Sequence, residues 1–237
     1  MNFENELFRG KDYKLNDSII IKQPTLGEIF DYGEKEYYSM LSQFLAVPSD
    51  CKFQLFDMGI DYEEIDDFDF FVVTSGGFQD SKVDILIDGV DFTNLGVFRD
   101  ESNGNILLKD NSSGAVIDRA IFSIITEYLR SMHFFKKNTE VAGNEATKAF
   151  LIEEQREAYK ESCNKEYESM LIPLITALTN CSDFKYNYHT VWDLPIYVFM
   201  KSVMRVQKAT NYSNLMTGIY SGNIDMSKIK KSELQWL

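Results

Sequence analysis

Residues 190–220 carry the most regular hydrophobic pattern in the chain. Apolar side chains recur there at intervals of three and four residues: Trp192, Ile196, Phe199, Val203 and Val206. This spacing places them on one face of an α-helix, with lysine and arginine residues on the opposite face. After a short break, the apolar residues between 215 and 236 predict one or two further short helices.

Two interpretations of this apolar face stay open at the level of sequence. The face either packs into the core of the protein or forms a surface groove that binds another chain. For the second interpretation we select five candidate partner-binding residues: Trp192, Ile196, Phe199, Val203 and Trp236.

Composition and charge limit the classes of function. The hydrophobic fraction of 44% and the charged fraction of 26% are ordinary for a globular protein. The net charge of −13 argues against a protein that binds nucleic acid. Since no run approaches the roughly 20 apolar residues that span a bilayer, we expect no membrane contact.

The cysteines and the first residues predict a cytoplasmic protein. Cys51, Cys163 and Cys181 are widely separated and lack metal-ligand spacing, and their odd number is typical of a reducing compartment. The opening sequence MNFENELFRG lacks the basic and apolar regions of an export signal.

The spacing of hydrophobic residues along the chain predicts an α+β fold that is mainly α-helical. It consists of a helical body with a small three-stranded antiparallel β-meander. Alternating apolar residues and the turn signals Asp88-Gly89 and Asn103-Gly104 place the meander within residues 82–109. The regions are then 1–80, an N-terminal helical region, 81–112, the meander, and 113–237, a C-terminal helical region. We expect them to form one compact unit with an inserted β element.

Two further segments are recognisable from their charge. Residues 57–70 contain seven acidic residues and no basic one, which predicts a solvated or partner-facing acidic surface, because the spacing does not match a calcium loop. Residues 144–178 predict one long helix or two stacked ones, with a narrow apolar stripe that suits a projecting arm. Pro173 is expected to kink it.

The sequence offers no catalytic arrangement. The chain has two histidines, His133 and His189, and both are expected to have structural roles, His133 as a cation at the end of a helix. Motifs for a nucleophilic serine, a phosphate-binding loop, a zinc-binding helix and a dinucleotide fold are missing. We therefore expect a protein that is not an enzyme, with no catalytic, cofactor or metal residues and no cofactor.

Two stretches resemble a known family. SIIIKQPTLGEIFDYGEKEYYSML near the N-terminus resembles small tail-module proteins of long-tailed bacteriophages. VWDLPIYVFMKSVMRVQ and the following LMTGIYSGNIDMSKIKKSELQW resemble tail assembly chaperones. That resemblance implies a helical protein which keeps the tape measure protein soluble during assembly. The β-meander and the long charged helix depart from the family pattern.

The expected function is that of a non-enzymatic phage tail assembly protein, an assembly chaperone in the host cytoplasm. Its expected partners are other phage tail proteins, such as tape measure, tube or baseplate components, and further copies of itself. One alternative is a permanent structural subunit of the baseplate or neck, located in the virion. Another is a small host-directed enzyme or decoy.

Overall fold

The computed structural model describes residues 3–78, 82–101, 103–230 and 234, except for the side chain of Lys228. Of these residues 55% are helical, and others form two small three-stranded antiparallel sheets, which confirms the predicted α+β, mainly helical class. No helix in the described ranges combines the length and the apolar character needed to cross a membrane.

The described helices and strands follow one another in chain order. The α-helices are α1 (Glu4–Phe8), α2 (Leu26–Tyr32), α3 (Glu34–Leu45), α4 (Lys52–Asp57), α5 (Asp67–Thr74), α6 (Arg119–His133), α7 (Glu145–Ser162), α8 (Leu171–Thr179) and α9 (Ile196–Tyr220). The strands are β1 (Tyr13–Lys14), β2 (Ile20–Ile21), β3 (Ile87–Asp88), β4 (Leu95–Arg99), β5 (Ile106–Asp110) and β6 (Val116–Ile117). Short 3₁₀ segments lie between them.

One hydrophobic core draws side chains from all three regions of the chain. Its centre is a group of phenylalanines in which the rings of Phe44 and Phe78 lie 4.4 Å apart and those of Phe71 and Phe122 lie 4.6 Å apart. Rings at these distances make favourable contacts beyond the area they bury. The core therefore ties α3, α5 and α6 together.

The start of α2 and the start of α9, far apart in the sequence, meet directly. Thr25 and Pro195 form an isolated antiparallel β-bridge, next to which the side chains of Phe30 and Trp192 pack edge to face. Thr25 also begins α2 with a capping box that includes Glu28, which confirms the N-terminal helix signal. The entry into α2 and the entry into α9 are thus one structural junction.

The predicted meander is shifted along the chain. Val83–Ile85 is a 3₁₀ turn rather than a strand, and β3 after it pairs with β2 in a sheet of order β1-β2-β3. The three-stranded meander is β4-β5-β6. The alternation of apolar residues at 83, 85 and 87 therefore does not mark a first meander strand, because Val83 is buried in a 3₁₀ turn and Ile87 is buried in a strand of the other sheet.

Residues 144–179 form two helices that do not project as an arm. α7 packs on α4 through a small second core of Leu55, Tyr62, Phe70 and Ile152. Pro173 lies in the first turn of α8, where its missing N–H needs no partner. The predicted kink is therefore wrong, and so is the projecting arm.

The acidic segment 57–69 is bound to basic side chains of the same chain. Arg156 contacts Asp57, Lys148 contacts both Asp61 and Glu63, and Arg119 contacts both Asp66 and Asp69; Lys137 contacts Asp67. The prediction of a solvated or partner-facing acidic surface did not foresee these ion pairs: the carboxylates stay partly exposed, but four cations from α6, α7 and the loop between them pair with six of the seven acidic residues. Within the described residues no group of histidine, cysteine, aspartate or glutamate side chains is arranged to hold a metal ion.

Candidate partner-binding groove

Helix α6 is fixed at both ends by its own residues. The Asp118 carboxylate accepts a hydrogen bond of 2.8 Å from the Ile121 N–H and caps the first turn. At the other end Phe134 adopts a left-handed conformation with φ 59°, and the Arg130 carbonyl accepts the N–H groups of Phe134 and Phe135. This ending turns the chain sharply and places Phe134 and Phe135 beside the last turn of α6.

An open groove of about 930 Å³ follows one face of α6. The residues of α6 that line it recur at helical spacing along nearly the whole helix: Arg119, Phe122, Ser123, Thr126, Glu127, Arg130 and Ser131. Residues 66–68 at the start of α5, residues 134–137 and Met204 of α9 complete the lining. Because the lining residues of α6 run from Arg119 to Ser131, this wall of the groove is about 18 Å long.

The apolar lining of the groove is aromatic. The ring of Phe68 lies 5.6 Å from that of Phe122, and the ring of Phe134 stacks on Tyr197 of α9 at 5.1 Å. Phe135 is 40% exposed and Met204 is 42% exposed. The groove therefore presents both fixed rings and solvent-exposed apolar side chains, as partner-binding sites do.

Cations lie along this aromatic lining. Hydrogen bonds to Asp66 and Asp69 raise the pKa of Arg119, whose guanidinium lies over the Phe68 ring at 5.5 Å. Burial lowers the pKa of Arg130, which donates to the Leu45 carbonyl oxygen at 2.6 Å.

Lys136 gives the groove a charge that the described residues leave unmatched. It lines the groove, it is exposed, and it forms no ion pair within the described ranges. The groove thus offers an apolar surface with an available positive charge on a protein of net charge −13. A ligand with apolar anchors and a carboxylate has the complementary chemistry.

Three of the candidate residues chosen from the sequence are core residues. Ile196 and Phe199 are 0% exposed and Val203 is 7% exposed. The core interpretation of this face therefore applies to the folded protein, and a partner that docks on its surface contacts other residues. Their spacing identified a buried face, which sequence periodicity alone does not distinguish from a groove.

The structure describes one of the two tryptophans that were chosen as partner-binding candidates. Trp192 is half-buried against Phe30, and its indole N–H donates to the Tyr188 carbonyl oxygen at 2.7 Å. It is therefore a structural residue of the junction. Trp236 lies outside the described residues.

The predicted short helices after α9 are also revised. α9 is a single helix of 25 residues that continues through 215–220 without a break. Beyond Val206, no described residue of α9 packs on the hydrophobic core. The next 14 residues extend about 20 Å further.

Sequence reasoning missed the groove, although one local signal was present. Residues 133–137 read HFFKK, two aromatic residues followed by two bases directly after a helix. The α6 face itself was less visible, because it mixes Phe122 with polar residues rather than forming an apolar stripe. The groove also depends on α5 and α9, which approach α6 only in the folded chain.

The comparisons with known proteins give one result, at the C-terminal end. A family model described as YomV second domain matches residues 164–237, which is under a third of the chain. That family is derived from a Bacillus phage and suggests a phage protein. Searches of curated proteins and of solved structures found no match. The matched segment contains α8 and α9, including Met204 of the groove.

Proposed function

We propose that this chain is a non-enzymatic phage protein that binds another tail protein during assembly, with the tape measure protein as its first candidate partner. The observation that carries the proposal is the open groove along α6, lined by phenylalanines and by the available cation Lys136. The phage-derived family match supports the phage setting. Its work as a tail assembly chaperone would take place in the host cytoplasm.

The shape of the groove suits a helical segment of the partner. A groove wall about 18 Å long accommodates about three helical turns, and a helix that docks in such a groove uses apolar anchors spaced by three and four residues. The tape measure segment that binds is expected to carry acidic residues beside those anchors, placed to meet Lys136. The remaining negative charge of the protein keeps the complex soluble.

The proposal is tested by co-expression with the tail proteins of the same phage. Met204→Asp and Phe135→Asp introduce a carboxylate into the apolar lining, and we expect each to weaken binding at least about tenfold because exposed apolar anchors are lost and a charge is desolvated. Phe150→Asp is the matched control, since Phe150 is 65% exposed on α7, outside the groove lining. Equal binding by all three variants would contradict the groove as the binding site.

A second candidate is a permanent subunit of the baseplate or neck. The β4–β5 hairpin favours it, because Val97 is 59% exposed and Phe98 is 44% exposed on a strand at the edge of its sheet. Mass spectrometry of purified phage particles separates the two roles. A chaperone is absent from particles and abundant in infected cells, whereas a subunit is present in a fixed ratio to the major tail proteins.

A further inference from the structure

Strand β4 has an open edge. It is the outer strand of the sheet β4-β5-β6, and its only strand partner in the described chain is β5. The hydrogen bonds Asp100 N–H to Asn105 O, at 2.8 Å, and Asn111 N–H to Asn94 O, at 3.2 Å, fix the phase of the β4–β5 ladder. Backbone groups in an antiparallel pair alternate between the two sides of a strand.

This phase determines which backbone groups of β4 are available. Gly96 and Phe98 direct their N–H and C=O groups toward β5. Leu95, Val97 and Arg99 direct theirs toward the open edge. Three consecutive outward positions thus present donors and acceptors with no strand beside them in the described part of the chain.

The side chains of β4 protect this edge only at one end. Natural edge strands are usually blocked by charged side chains, proline, a bulge or a covering segment. Here the one charged side chain, Arg99, lies at the end of the strand, whereas Val97 is 59% exposed and Phe98 is 44% exposed near its centre. A short strand with exposed β-branched and aromatic residues has the composition of one that pairs with another strand.

We propose that β4 pairs antiparallel with β4 of a second copy of this chain, in the register centred on Val97. In that register the outward groups of Leu95 meet those of the other copy's Arg99, and Val97 meets Val97. All three outward residues then pair, which gives about six backbone hydrogen bonds across the two-fold axis. The two sheets become one continuous sheet.

The side chains support this register over its neighbours. Phe98 comes to lie opposite Gly96 of the other copy, so a large ring faces a residue with no side chain. In each copy the Phe98 ring lies over Gly96 of its own strand, since a Cβ atom there would lie 2.6 Å from Cε2 of Phe98. The two rings therefore lie side by side across the new pair. Small and large residues therefore alternate across the new pair.

The charges also favour the register centred on Val97. Arg99 is the one charged residue of β4, LGVFR. In this register the two arginines are four residues apart along the strands, about 13 Å, which exceeds the screening length of about 8 Å at physiological salt. A shift that places Arg99 opposite Arg99 brings like charges face to face.

The association is expected to be weak and to depend on salt. A pair of five-residue strands buries well under the roughly 1,200 Å² of a stable interface, so we expect a dissociation constant on the order of 0.1–1 mM. Each copy carries a net charge of −13. Because salt screens the repulsion between copies, higher ionic strength should strengthen the dimer.

Sedimentation equilibrium of the purified full chain tests this proposal with two matched variants. Val97→Pro removes an N–H that points to the open edge and leaves the β5 ladder intact, so the dimer should weaken at least about tenfold. Val97→Thr keeps that N–H and should weaken it less. A wild-type protein that stays monomeric up to about 1 mM, or a Val97→Pro variant that dimerises as the wild type does, would overturn the proposal.

Amide exchange by NMR gives a second measurement that does not depend on the folding of a variant. On concentrating the wild-type protein, the amides of Val97 and Arg99 should exchange more slowly, while those of Gly96 and Phe98 should not change, because β5 already binds them. Slowing of all four amides, or of none, would contradict pairing at this edge.

Discussion

The backbone N–H of Leu26 donates to the carbonyl oxygen of Leu194 at 2.9 Å, across 168 residues of sequence. Next to it, the Ile196 N–H donates to the Pro24 carbonyl oxygen at 3.0 Å. These bonds join the start of α2 to the start of α9. The N-terminal and C-terminal helical regions are therefore tied together at one junction.

The junction predicts a specific effect at Gly10. Its φ is +61°, and a Cβ atom there would lie 2.6 Å from Cγ of Pro195, a ring that cannot turn away. Gly10→Ala should therefore lower the free energy of unfolding by about 2–4 kcal/mol, from left-handed strain plus the clash. Gly59→Ala is the control, because Gly59 has a similar φ of +74° and no atom within 4 Å. Equal losses in urea denaturation would show that the Pro195 contact is unimportant.

Glu34 should be needed for the position of α8. This carboxylate is 7% exposed and accepts hydrogen bonds from the N–H groups of Met170 and Leu171, both at 2.9 Å, and from the Ser169 hydroxyl. Both N–H groups donate to Oε1, so Glu34→Gln keeps an acceptor for them but removes the carboxylate charge and reverses the hydrogen bond with the Ser169 hydroxyl. We therefore expect it to lower the free energy of unfolding by about 1–2 kcal/mol. Glu36→Gln, on the exposed side of α3, should change it by less than about 0.5 kcal/mol. Similar values for the two variants in denaturant titrations would argue against the buried cap.

His133 should make the fold sensitive to mild acid. Its Nδ1–H donates to the Leu129 carbonyl oxygen at 2.9 Å and its Nε2 accepts the Tyr37 hydroxyl at 2.7 Å, so the buried ring is neutral. Burial lowers the pKa of His133 to about 4. The predicted role of this residue as a helix-terminal cation is therefore wrong.

The direction of the pH effect follows from this shift. The unfolded chain binds a proton at about pH 6.5, whereas the folded chain binds it only near pH 4, so stability falls as the pH drops through that window. The loss should reach about 3 kcal/mol. His133→Gln should flatten the decline between pH 7 and 5, and His189→Gln, at an exposed position, should leave it unchanged. An unaltered slope in the His133→Gln variant would contradict this account.

Lys148 should hold α7 against the acidic segment. Its ammonium group lies 2.6 Å from Asp61 and 3.0 Å from Glu63, and hydrogen bonds to these carboxylates raise its pKa. Lys148→Met keeps the alkyl stem and removes the charge, so amides of α7 should exchange faster in hydrogen–deuterium exchange. Lys160→Met, at an exposed position of the same helix, should have no effect. Unchanged exchange in the Lys148→Met variant would mean that apolar packing alone holds α7.

Local signals predicted the parts of the fold that depend on neighbouring residues. The Thr25–Glu28 capping box lies within one turn, and the structure contains it. The partner of β2 was not predictable in this way, because Ile21 pairs with Ile87, far along the chain. Pairing of this kind depends on the whole fold rather than on the pattern of either strand.

The candidate site, too, depends on residues that are distant in the sequence and could not be predicted from local patterns. The ion pairs of the acidic segment could not be predicted from its own residues, because Arg119 and Lys148 come from distant helices. Phe199 looked like a binding residue because a helical stripe has the same spacing whether it is buried or exposed. Exposure of Phe135 and Met204 is set by three elements that meet only in the folded protein.

Site-specific photo-crosslinking in phage-producing cells tests whether the groove along α6 binds a phage tail protein. A photoreactive phenylalanine analogue replaces Phe135 or Met204 in the groove, and Phe150 on α7 serves as the control position. We expect both groove positions to crosslink to the same phage tail protein, identified by mass spectrometry, and position 150 not to do so. Crosslinks of equal yield from position 150, or none to a phage protein from the groove, would contradict this expectation.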